Sequence, residues 1–161
     1  MPVGPPGASP YRVGYRPIMD VWELVARERI RDTIARYAHL VDRGRTDELV
    51  ALFTEDATLE AGDGPPARGR DAIRAVFLGT GRRLASAAAP LIRHHVSNVL
   101  IDVESPDAAT ASSYFLAITE RGPDHWGRYR DRLVRHGDRW LFAHRRARAD
   151  GYAPGSVFQR P

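Results

Sequence analysis

Proton transfer and ion binding in this chain of 161 residues rest on six histidines, twenty carboxylates and six tyrosines, because cysteine is absent and all 24 basic residues are arginine. The missing thiols exclude disulfide frameworks, thiolate metal sites and cysteine nucleophiles. The missing lysines close Schiff-base chemistry unless the amino terminus supplies the amine. None of His39, His94, His95, His125, His136 and His144 has a second histidine one helical turn away with a carboxylate beside it, so no metal site is expected. His94 and His95 are adjacent in a segment of extended pattern, so they point to opposite faces and at most one of them faces the interior. His136 falls in a turn and His125 at a strand start, where solvent is the default surrounding.

Tyr37 lies on the apolar stripe Ile30, Ile34, Tyr37, Val41, and its hydroxyl needs a partner if covered. By itself it reads as a core tyrosine with a satisfied hydroxyl, and Asp42, taken alone, as a surface acid. Asp42 stands near the end of the same helix, where the dipole disfavours an acid. Five residues of ideal helix separate the two by about 140°. A shared pocket therefore requires the helix to loosen before Gly44 or the tyrosine to reach across. The piece at 62–66 (GDGPP) lacks the spacing and lysine of a phosphate loop, and no serine sits in a nucleophile elbow.

Arg128, Arg130 and Arg132 share one strand face, and Arg146 and Arg148 another. They fit a carboxylate or phosphate clamp, or an exposed sheet face or subunit interface laced with Asp131, Asp138 and Asp150. A net charge of +4 with acids interspersed among the arginines favours the second reading and argues against a dedicated nucleic-acid binder.

The elements that position these groups fit one domain. Residues 1–19 are rich in Gly and Pro without an apolar run of signal-peptide length and read as a flexible arm. No apolar stretch has membrane-spanning length. A helix is expected from the N-cap Asp20 to about residue 43, a second over 46–53 capped by Thr46, a strand over 57–61, a Pro/Gly loop over 62–69 and a third helix over 71–78. After Pro90 the period changes to two, giving strands over 94–104, 108–120, 125–135 and 139–149 joined by turns at 105–107, 122–124 and 136–138. Helices followed by a meander indicate an α+β fold over residues 20–150, with a loop-like tail over 151–161.

The runs IRDTIARYA (30–38) with Val41-Asp42, LVALFTEDA (49–57), HHVSN (94–98), YRD (129–131) and GDRW (137–140) together resemble the SnoaL-like branch of the nuclear-transport-factor-2-like (NTF2-like) superfamily. The resemblance implies a cone in which N-terminal helices pack on a curved antiparallel sheet around a pocket. It also implies acid–base chemistry without a cofactor, as in scytalone and bile-acid dehydratases, ketosteroid isomerases and polyketide cyclases. Tyr37, Asp42 and His95 stand where the bile-acid dehydratases place their tyrosine, aspartate and histidine. Trp22, Phe53, Ser113, Phe115 and Arg148 are expected to contact substrate. Ala117 replaces the further aspartate of those enzymes, and Ser113 or Tyr114 stands where scytalone dehydratase has a second histidine.

The expected protein is a cytoplasmic homodimer that binds neither nucleic acid nor membrane. It acts as a dehydratase, isomerase or cyclase on a small, largely apolar, oxygenated substrate such as a polyketide, a steroid-like molecule or an aromatic metabolite. In this reading His95 is the proton shuttle, Asp42 its partner and Tyr37 the hydrogen-bond donor. The alternative is a non-catalytic binding or scaffolding module, which Ala117 favours.

Overall fold

The computed structural model describes residues 19–62, 64–86, 91–156 and 158–159; the expected arm lies outside them except for Met19. The helix α1 (Val21–Asp42) buries its predicted stripe, with Ile30, Ile34 and Tyr37 almost fully covered. Asp20 holds the N-cap position in extended conformation, without the side-chain bond that its type suggested. The second helix, α2 (Thr46–Val50), is shorter than expected because Phe53 already begins a strand, and its N-cap is Arg45 and not Thr46. The third, α3 (Gly69–Ser86), continues past Leu78 through Gly79 and Gly81. Packing of Ile73, Val76 and Phe77 on the core outweighs the weak helix propensity of the two glycines.

Six strands follow the order β2-β1-β6-β5-β4-β3, with β1 (Phe53–Ala61), β2 (Ala67–Arg68), β3 (Arg93–Ser105), β4 (Ala108–Thr119), β5 (Gly122–His136) and β6 (Arg139–Tyr152). The meander β3 to β6 is antiparallel as expected. The sheet as a whole is mixed, because β1 joins β6 in parallel. A parallel pair needs a long crossover between its strands, and α3 with the first three meander strands supplies it. Register shifts in β3, β4, β5 and β6 bend the open sheet toward the helices. One of them lies at Trp126/Gly127, where a Cβ on Gly127 would collide with the carbonyl oxygen of Arg148, so only glycine lets β5 and β6 close there.

Long-range bonds from three side chains help to fix the helices to the sheet. Thr33 Oγ1 donates to the Trp140 carbonyl at 2.8 Å, and Arg27 Nη1 to the Ile101 carbonyl at 2.6 Å. Arg70 grips the Phe53 carbonyl through Nε and Nη2 at 3.0 and 2.7 Å. The core between the layers is built from Ile30, Leu49, Phe53, Leu59, Ile73, Leu133 and Phe142. Arg128, Arg130, Arg146 and Arg148 gather on the opposite, outer face, with Asp150 Oδ1 at 3.2 Å from Arg128 Nη2. Among the described residues no helix is long and apolar enough to cross a membrane.

Candidate active site

The helix α1 ends in a Schellman motif. Gly44, at a φ of 64°, donates its N–H to the Val41 carbonyl, and Arg45 donates to the Leu40 carbonyl. This closure leaves Asp42 on the last turn, facing β3. Its Oδ1 lies 2.7 Å from His94 Nδ1, and its oxygens accept the His94 backbone N–H at 3.2 and 3.1 Å. A carboxylate only accepts, so Nδ1 carries the hydrogen and Nε2 is left as the free ring nitrogen. Both side chains are more than nine-tenths covered.

Asp42, His94 and Tyr37 line one cavity of about 1140 Å³. Val41, Val76, Phe77, Leu84, Ile92 and Phe115 make its wall largely apolar. Tyr37 and Asp42 meet there despite their separation around the helix, because the cavity spans the end of α1. Phe115 stacks on Tyr129 at 4.7 Å between centroids, and Tyr129 also lines the cavity. A row of opposed positions crosses the sheet at the same level: His94 faces Ala117, Ala117 faces His125, and His125 faces Tyr152. The small Ala117 lets the two imidazoles approach edge to face at 6.0 Å. His125 Nδ1 is 2.7 Å from Asp124 Oδ2, which also accepts the Ser156 hydroxyl at 2.7 Å, while Phe158 covers the ring at 4.5 Å. Burial lowers the His125 pKa below its ordinary value, and His94 pushes it the same way against the pull of Asp124.

Beneath the cavity, Arg145 and Asp131 form a completely buried bidentate pair at 2.8 and 2.7 Å. The guanidinium lies 3.9 Å from the Tyr37 ring centroid, 4.1 Å from that of Phe142 and 4.3 Å from that of Tyr129. Burial opposes its charge, yet Asp131 raises the Arg145 pKa above its ordinary value. Burial also holds both phenols protonated: it raises the pKa of Tyr37 against the pull of Arg145, and drives that of Tyr129 well up. Arg145 Nη1 has no hydrogen-bond partner among the described residues.

The structure redistributes the predicted site. Tyr37 and Asp42 reach the cavity, but His95 is exposed on the far side of β3 and His94 takes the place beside Asp42. Adjacency on a strand left one inward histidine, and the bond to Asp42 selects it. Of the expected substrate contacts, Phe115 lines the cavity. Trp22 is half-exposed on the first turn of α1, and Phe53 is sealed in the core against Phe142. Ser113 is buried, its hydroxyl without a partner among the described residues, and Arg148 points outward while Ala149 lines the cavity. Asp131, expected on the outer face with the arginines, is turned into the core toward Arg145, and His125 is buried rather than solvated. Strand alternation already carried that signal, since Arg128, Arg130 and Arg132 outward put His125, Tyr129 and Asp131 inward. The tail is not wholly loop: β6 continues to Tyr152, and Phe158 and Gln159 line the cavity. Among the described residues no group of three or more His, Asp and Glu is placed to hold a metal ion.

The family model for the SnoaL-like domain matches residues 22–146, which span α1 and most of the sheet. The chain belongs to the SnoaL-like family. A scytalone dehydratase-like protein from Novosphingobium aromaticivorans is similar at 30% identity and a TM-score of 0.74, over 84% of this chain and 91% of that one. An NTF2-like protein with a cystatin-like fold from the same organism shares 26% identity with a TM-score of 0.68, over 89% and 99%. ActVI-ORFA from Streptomyces coelicolor, at 24% identity, a TM-score of 0.67 and coverage of 78% and 98%, shares the fold. This SnoaL-like chain thus has the NTF2-like architecture of helices on a curved, open sheet.

Proposed function

We propose that this SnoaL-like protein is an acid–base enzyme of the dehydratase, isomerase or cyclase type, working without a cofactor on a small, largely apolar, oxygenated molecule. The observation that carries the reading is the Asp42–His94 bond of 2.7 Å at an apolar cavity of about 1140 Å³. Asp42 holds the imidazole with Nε2 free and stabilises the imidazolium that forms when it takes a proton. The Tyr37 phenol, kept protonated by burial, donates to a substrate oxygen as negative charge develops on it. A proton leaving the carbon beside a carbonyl goes to His94 Nε2, and the electron pair it leaves spreads to that oxygen. Water loss, double-bond migration and aldol-type closure all begin from this enolate. A polyketide-, steroid- or aromatic-type skeleton matches the apolar wall, and the scytalone dehydratase-like relative points the same way.

The reading includes a cytoplasmic homodimer, the latter checked by light scattering, which should return twice the 18.0 kDa chain mass. The reaction itself is tested with 1-tetralone in D2O, following deuterium uptake beside the carbonyl by proton NMR. The wild type should exceed the buffer rate and His94→Ala should not. A wild type at the buffer rate overturns the reading.

A further inference from the structure

Two carboxylate-backed imidazoles line the same cavity. His94 on β3 is backed by Asp42 from α1, and His125 on β5 by its neighbour Asp124, each through Nδ1 at 2.7 Å. Each ring therefore keeps Nε2 as its free nitrogen. The rings stand edge to face at 6.0 Å on either side of Ala117, which opposes both of them in the sheet. Asp124 is held in turn by the Ser156 hydroxyl at 2.7 Å, and its own carbonyl accepts the Ala153 N–H at 2.7 Å.

We propose that His125 is a second proton-transfer group of the cavity, positioned by Asp124, and that a substrate bound between the two imidazoles gives a proton to one and receives a proton from the other. The inference rests on the acid–base reading above. In an elimination, the neutral imidazole takes the proton from carbon, and the C–H pair becomes the new double bond. The C–O bond breaks with its electrons going to oxygen, and the imidazolium opposite gives that oxygen its proton, so water leaves. One histidine gains the proton that the other loses, and the pair's total is unchanged. In a double-bond migration the same two transfers act on two carbons. Such a pair works with one shared proton. The charged and titratable groups facing His125 are Asp124 on β5, His94 on β3 and Tyr152 on β6. A charge on His94 opposes a second proton on His125. Ala117 is then the spacer of the site.

The test combines 15N NMR titration of the histidine rings with 1-tetralone exchange in D2O and with the dehydration of 3-hydroxy-1-tetralone to 1-naphthol, on the full chain and its His94→Gln, His125→Gln and Asp124→Asn variants. The His125 midpoint should move upward in His94→Gln. Asp124→Asn should lose the Nδ1–H tautomer signature of His125. His125→Gln, folded by its unchanged thermal midpoint, should dehydrate 3-hydroxy-1-tetralone about 100-fold more slowly. A His125 midpoint that is unmoved in His94→Gln overturns the inference. So does dehydration of 3-hydroxy-1-tetralone at the wild-type rate in His125→Gln, or a wild type that exchanges 1-tetralone but does not dehydrate the hydroxyketone; either result leaves the acid–base reading standing. If every protein, wild type included, stays at the buffer rate, the acid–base reading falls and the inference falls with it.

Discussion

Asp42 receives two different groups of His94, the ring Nδ1 at 2.7 Å and the backbone N–H at 3.2 and 3.1 Å, so one carboxylate ties the end of α1 to the start of β3. An acid at a helix C-terminus is disfavoured by the helix dipole, and these bonds offset that cost. The same contacts that hold the chain together there also fix the imidazole tautomer.

Asp42→Asn should therefore affect stability and chemistry together. The amide accepts through one oxygen only and carries no charge, so the unfolding free energy should fall by about 1–3 kcal/mol. Urea denaturation measures it. Tetralone exchange should fall by about 100-fold in the same variant, because nothing then stabilises the imidazolium.

The Arg145–Asp131 pair makes a sharper stability prediction, since both side chains are completely buried. Asp131→Ala leaves a guanidinium stranded in the core and should cost about 3–5 kcal/mol. The double replacement Arg145→Met with Asp131→Leu removes both charges and should cost much less than Asp131→Ala alone. Guanidinium denaturation of the two variants separates a charge penalty from a packing loss.

Tyr37 and Tyr129 should resist alkali. Burial raises both phenol pKa values, that of Tyr129 well above the ordinary one. The unfolded chain then loses these protons first, so their contribution to stability is present below about pH 10 and is lost as pH rises through the folded values. Phenolate absorbance at 295 nm should show both groups ionising together with unfolding. Tyr37→Phe and Tyr129→Phe should leave the titration amplitude below the unfolding transition unchanged.

Most of the fold follows from periodicity. The stripe Ile30, Ile34, Tyr37 places α1, and the alternation after Pro90 places four strands to within a few residues. The parallel joining of β1 to β6 has no local signal, since it depends on where the meander ends. Asp42 and Tyr37 were singled out by family resemblance, because the helix pattern alone reads as a surface acid and a core tyrosine. The choice between His94 and His95 was not legible, because it turns on strand register. Arg145 and Asp131 escaped notice because charged residues on strands usually face water, and only the opposed inward positions of the two strands pair them in the core. His125 was obscured by its place at a strand start, where the support from Ser156 and Phe158 comes from the chain terminus.

In the proposed reading the inward histidine beside Asp42 moves the proton. The measurement that tests it is 1-tetralone exchange by His94→Ala and His95→Ala side by side, with both folds verified by thermal unfolding. His94→Ala should lose at least about 100-fold while His95→Ala stays at the wild-type rate. Loss in His95→Ala with full exchange in His94→Ala would contradict the account.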